Sequence, residues 1–77
     1  MTESITIREA TGADRPAVER LAALDEAPTP SGDTLLAFVD GQLAAARPLV
    51  GGEAVADPFM RTAALVELLD VWAVRAA

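Results

Sequence analysis

The stretch Thr34-Leu-Leu-Ala-Phe-Val39, Asp40-Gly41, Gln42-Leu-Ala-Ala-Ala-Arg-Pro-Leu-Val50 limits the possible folds of this chain more than any other. Asp-Gly between two apolar runs is the favoured two-residue turn of a β-hairpin, because both central residues of a type I′ turn need positive φ. With that turn, Val39 is expected opposite Gln42, Phe38 opposite Leu43 and Leu36 opposite Ala45. One face of the pair then carries Leu36, Phe38, Leu43 and Ala45, and the other carries Leu35, Ala37, Val39, Ala44 and Ala46. Both faces are apolar, whereas a hairpin with one wet face alternates apolar and polar residues. Each face therefore requires a cover, and a helix on each side supplies it.

The flanking sequence contains two such helices. Ile5-Thr6-Ile7-Arg8-Glu9-Ala10 alternates and is β-branched, which predicts a half-buried strand. Thr11 followed by Asp14 matches the acidic form of a capping box, and Pro16 suits a first helical turn, so a helix is expected from Gly12 to Asp25. Its apolar stripe is Val18, Leu21, Ala22 and Leu24, with Glu19, Arg20 and Asp25 in water. Ala27-Pro-Thr-Pro-Ser-Gly32 breaks the helix into a loop. After the hairpin, Pro48 marks a bulge or the end of pairing, Gly51-Gly52 turns the chain, and Glu53 to Asp57 reads as a short strand ended by Pro58. The last helix, Met60 to Ala76, places Leu65, Leu68, Leu69 and Trp72 on its inner face. Val66, Val71 and Val74 fall outside that stripe and are either ordinary surface valines or a second buried contact. The order β-α-β-β-β-α gives one α+β domain over residues 1–77, a four-stranded antiparallel sheet with one helix on each face.

Composition narrows the chemistry. A chain of 77 residues hides only about 60% of its unfolded surface, so oligomerisation is a natural remedy for a thin stability margin. The absence of cysteine and histidine removes disulfides, thiol nucleophiles, zinc sites of the usual kind and imidazole acid–base catalysis, and no metal is expected. A net charge of −6 with dispersed arginines argues against nucleic acid and anionic membranes as partners. With no basic start followed by an apolar run and no long uncharged apolar stretch, the expected setting is the cytoplasm.

The element order, the opening Ile7-Arg8-Glu9-Ala10-Thr11 with Asp14, the Val39-Asp40-Gly41 hairpin and the junction Val55-Ala-Asp-Pro-Phe-Met-Arg-Thr62 together resemble the N-terminal part of the GCN5-related N-acetyltransferase (GNAT) fold. The likeness spans nearly the whole chain and covers about half of that family's domain. It implies that the turn from the fourth strand into the last helix corresponds to the family's coenzyme A pyrophosphate loop, where backbone amides at a helix start converge on an anion. The family pattern there is Gln or Arg, two residues, Gly, one residue, then Gly or Ala. Met60, Ala63 and Leu65 occupy those positions, so the loop is degenerate. On the same basis Val55, Ala56, Met60, Arg61, Thr62 and Ala63 are the candidate acetyl-CoA contacts. Glu53 and Asp57, the acids flanking the fourth strand, are the candidate general bases. The tyrosine acid common in the family is missing, since the chain has no tyrosine.

Three functions follow from this reading. The first is a small GNAT-like domain that self-associates as a homodimer, through the edge of the fourth strand or the C-terminal helix, and retains acyl-CoA binding at most. The second is an acetyl-CoA-dependent N-acetyltransferase whose active site is completed by dimerisation. The third is a protein-binding module that accepts a strand on its free sheet edge.

Overall fold

The computed structural model describes residues 4–76 of the protein. Its elements are β1 (Ile5–Glu9), a single 3-10 turn (Gly12–Asp14), α1 (Arg15–Leu24), β2 (Thr34–Val39), β3 (Gln42–Pro48), β4 (Val55–Ala56) and α2 (Ala63–Ala76). Among the described residues the strands form one antiparallel sheet in the order β1-β2-β3-β4. Val18, Leu21 and Ala22 of α1 pack with Leu36, Ala46 and Val55. Leu69 and Ala73 of α2 pack with Leu35, Ala37 and Ala45. Because Leu35 and Leu36 point to opposite faces, the two helices cover opposite sides of the sheet, as the doubly apolar hairpin requires.

The Asp40-Gly41 turn holds both residues at positive φ, 51° and 83°. It pairs Val39 with Gln42 and Phe38 with Leu43. Beyond that point the expected register fails. Leu36 pairs with Ala46 and Ala37 with Ala45, because β3 bulges at Ala44, which has no opposite residue on β2 between Ala37 and Phe38. One extra residue inverts the alternation of everything after it. Ala46 therefore joins Leu36 under α1, and Ala45 faces α2, the reverse of the simple hairpin assignment. The Ala44 carbonyl accepts the Asp57 N–H at 2.8 Å, so the bulge is tied to the strand that follows. Pro48 ends β3 opposite Thr34. β4 is shorter than expected, two residues in place of the run from Glu53 to Asp57.

At the start of α1 the Asp14 carboxylate accepts the Thr11 backbone N–H at 2.7 Å and its hydroxyl at 3.1 Å, the capping-box contact read from the sequence. Leu24, placed in the buried stripe by periodicity, is 48% exposed. It is the last helical residue. The chain turns away immediately after it, with Glu26 at a φ of 52° and the Ala27 N–H bonded back to the Ala22 carbonyl at 2.9 Å.

α2 begins at Ala63, not at Met60. Asp57 offers the backbone a competing arrangement: its carboxylate accepts the Phe59 N–H at 2.8 Å and its carbonyl accepts the Met60 N–H at 3.2 Å. That local turn, with Pro58 inside it, delays the helix. The buried face also differs from expectation. Leu65, Leu69 and Ala73 are buried, while Leu68 is 38% and Trp72 48% exposed. Nearly every position of α2 is apolar, so periodicity alone could not choose the face. Tertiary contacts chose it: Ala37 and Ala45 form a low floor under Leu69, and Asp70 on one flank pairs with Arg47 of β3.

Candidate functional site

The residues expected to act together line three separate clefts. Glu53 is exposed and borders a cleft of about 450 Å³ with Asp25, the loop from Ala27 to Ser31, Pro48 and Val55. Asp57 borders a second, with Arg20, Leu21, Leu24, Gln42 and Leu43. Met60 and Arg61 border a third, about 310 Å³, with Ile5, Val39, Ala64 and Leu65. The two candidate bases thus share no cleft with each other or with the start of α2.

The backbone around β4 is largely engaged. Val55 is a core residue, 2% exposed. The Ala56 N–H points to the outer side of β4, where the Asp25 carboxylate accepts it at 3.2 Å. Asp57 is buried, and its amide and carboxylate are both committed to the local turn and the bulge. Asp57 thus caps the turn that precedes α2. Thr62 stands at the helix start, and its carbonyl accepts the Val66 N–H at 2.9 Å. Ala63 is the first helical residue and is exposed. The Met60 amide is bonded within the turn, and Val66 is the first donor to a carbonyl one helical turn back, so the amides of Ala63 to Leu65 have no acceptor within the helix. Arg61 remains exposed next to them.

A well-formed charge pair lines none of these three clefts. Arg8 meets Asp14 with two nitrogens, each 2.8 Å from a carboxylate oxygen, and lies 4.8 Å from the centre of the Phe38 ring. The Arg8 hydrogen bonds, followed by the Thr11 amide, hold the Asp14 carboxyl well below the usual carboxylate range, and Asp14 in turn raises Arg8. This clip ties β1 to the start of α1 and is structural.

Two features escaped the sequence reading. Asp25, taken as a solvated residue, covers the outer side of the last strand, and only the fold brings α1 and β4 together. The second is that Leu68 and Trp72, expected on the inner face, lie on the exposed flank of α2. Ala64 and Leu65 line the third cleft, and Leu68 and Trp72 continue the same flank by helical spacing. Val71, 50% exposed, borders it. The 3- and 4-residue spacing was visible in the sequence, but the choice of buried face was not.

Among the described residues no helix is long and apolar enough to cross a membrane, and no group of three or more acidic, histidine or cysteine side chains is placed to hold a metal ion. No protein-family model, curated protein or solved structure matches this chain.

Proposed function

We propose that this chain is a GNAT-like β-α-β-β-β-α unit that acts by pairing with a second copy of itself, not by acyl transfer. The observation that carries the reading is the exposed apolar flank of α2, where Leu68, Val71 and Trp72 stand in solvent on a domain small enough to need further burial. The fourth-strand edge is a poorer route. It is two residues long, and its outward amide is already held by Asp25. Catalysis has little support, because Glu53, Asp57 and the α2 start do not converge on one cleft.

Sedimentation equilibrium over roughly 1 µM to 1 mM tests the pairing, a range that brackets the weak end of specific interfaces. A mass that doubles with concentration, and returns to the monomer value in Trp72→Ala, is the expected result. A monomer at every concentration overturns it.

A second reading, residual acyl-CoA binding, rests on the cleft beside Met60 and Arg61, which adjoins the open amides of α2. At a hundredfold the dissociation constant a ligand adds about 2.7 kcal/mol, raising the unfolding midpoint of so small a domain by roughly 10 °C. An unchanged midpoint at about 1 mM acetyl-CoA, taken as that hundredfold excess, ends this reading.

A further inference from the structure

The self-association proposed above leaves open how the two copies meet, and the charges on α2 select one arrangement. Along the exposed flank, Ala64, Leu68, Val71 and Arg75 follow one another at alternating spacings of four and three residues, the pattern of a two-helix seam. Glu67 and Trp72 border this seam, and both are exposed. Asp70 lies on the opposite flank and is neutralised by Arg47. The seam of a chain with net charge −6 is therefore locally balanced, with Glu67 towards one end and Arg75 at the other.

In a parallel pair each residue meets its own copy, so Arg75 faces Arg75 and Glu67 faces Glu67. Eight residues separate the two along the helix, about 12 Å, so a parallel pair never brings them together. An antiparallel two-fold pair centred between Leu68 and Val71 sets Leu68 level with the partner's Val71, and Arg75 level with the partner's Ala64. Alanine there leaves room for the arginine stem, and its head lies one turn from the partner's Glu67. Trp72 comes within one residue's rise of the partner's Leu68, on the flank that leads to the cleft lined by Ile5, Val39, Ala64 and Leu65. Arg61 precedes the helix and lies beyond the partner's Arg75, outside the seam.

We infer that the exposed flank of α2 is a homodimer surface, in which two copies of the helix pack antiparallel with Glu67 and Arg75 paired at both ends and Trp72 seated against the partner's Leu68. This rests on the self-association reading and adds the orientation. The orientation also runs the two helix dipoles in opposite directions.

Reciprocal charge reversal, read by sedimentation equilibrium at low salt, tests it. Each exposed ion pair is weak, but the two-fold makes every substitution act twice, so Glu67→Arg and Arg75→Glu are each expected to weaken the dimer about tenfold. The Glu67→Arg/Arg75→Glu double variant restores wild-type association. If the single variants leave the dimer unchanged, or the double variant is weaker than either, the antiparallel pairing is wrong while self-association stands. If the wild-type chain is a monomer throughout, both proposals fall.

Discussion

The two faces of the sheet are covered in different ways. Under α1 the core is built mainly from larger side chains, Val18, Leu21, Leu36 and Val55, with Ala22 and Ala46 between them and Phe38 and Leu43 at the margin, and the helix turns Glu19 and Arg20 to water. Under α2 the floor is Leu35, Ala37 and Ala45, with Ile7, Leu49 and Val66 at its margin, the helix adds Leu69 and Ala73, and its outer side keeps Leu68, Val71, Trp72 and Val74 exposed. The first helix is amphipathic and complete within one chain. The second is apolar nearly all round and buries only part of what it offers, which is the pattern expected of an element with a second contact. Two helices placed alike on the sheet thus have unequal tasks: α1 closes the domain, and α2 both closes it and leaves an apolar surface exposed.

The largest expected effects come from the two cores. Leu36 and Leu69 are both fully buried. Leu36 lies in the middle of the sheet among branched neighbours that cannot move to fill a void, so Leu36→Ala is expected to cost about 4 kcal/mol. Leu69→Ala is expected to cost nearer 3 kcal/mol, because the alanines at positions 37 and 45 beneath it leave the helix room to settle towards the sheet. A domain of this length has a total stability of about 4–12 kcal/mol, so urea unfolding should show Leu36→Ala close to the unfolded limit. Equal losses in the two variants would break the contrast between a rigid and a yielding face.

A smaller effect isolates the role of α1 at the sheet edge. Asp25→Ala removes the acceptor for the Ala56 amide and is expected to cost about 1 kcal/mol, with dimerisation through α2 unchanged. New self-association in this variant, measured by light scattering, would show that Asp25 also guards the edge against strand addition.

The smallest effect is read along pH. Asp14 has a depressed pKa in the folded protein, so its pairing stabilises the fold above the unfolded value of about 3.9 and is lost as pH falls through the lower folded value. Asp14→Asn is therefore expected to be less stable than the parent at neutral pH. The gap should close in acid, and thermal unfolding between about pH 7 and pH 2 measures it. A gap that widens in acid would remove the Arg8–Asp14 clip from the account of α1.

Much of this molecule was legible in its residues. The Asp40-Gly41 turn, the apolar runs on both sides of it, the Thr11–Asp14 cap and the breaks at Pro28, Pro30, Gly51 and Gly52 are local signals, and each acts through the φ it allows or the hydrogen bond it offers within a few residues. They set the order of elements and the need for a helix on each face. The candidate site was less legible, because its parts depend on where separate elements meet. Glu53, Asp57 and Arg61 are close in sequence yet border three clefts, and the turn stabilised by Asp57 moved the helix start away from Met60.

What the sequence determined by itself was therefore the α+β class, the hairpin with its turn, and the two amphipathic or apolar segments that had to become helices. The tertiary structure alone decided the bulge at Ala44, which exchanged the faces of Ala45 and Ala46, the rotation of α2 that left Leu68 and Trp72 exposed, and the contact of Asp25 with Ala56. The physical reason is the same in each case. A short-range signal fixes torsions, whereas the run Ala44-Ala45-Ala46 and a helix that is apolar at most of its positions carry little pattern to prefer one face, so packing against distant residues makes the choice.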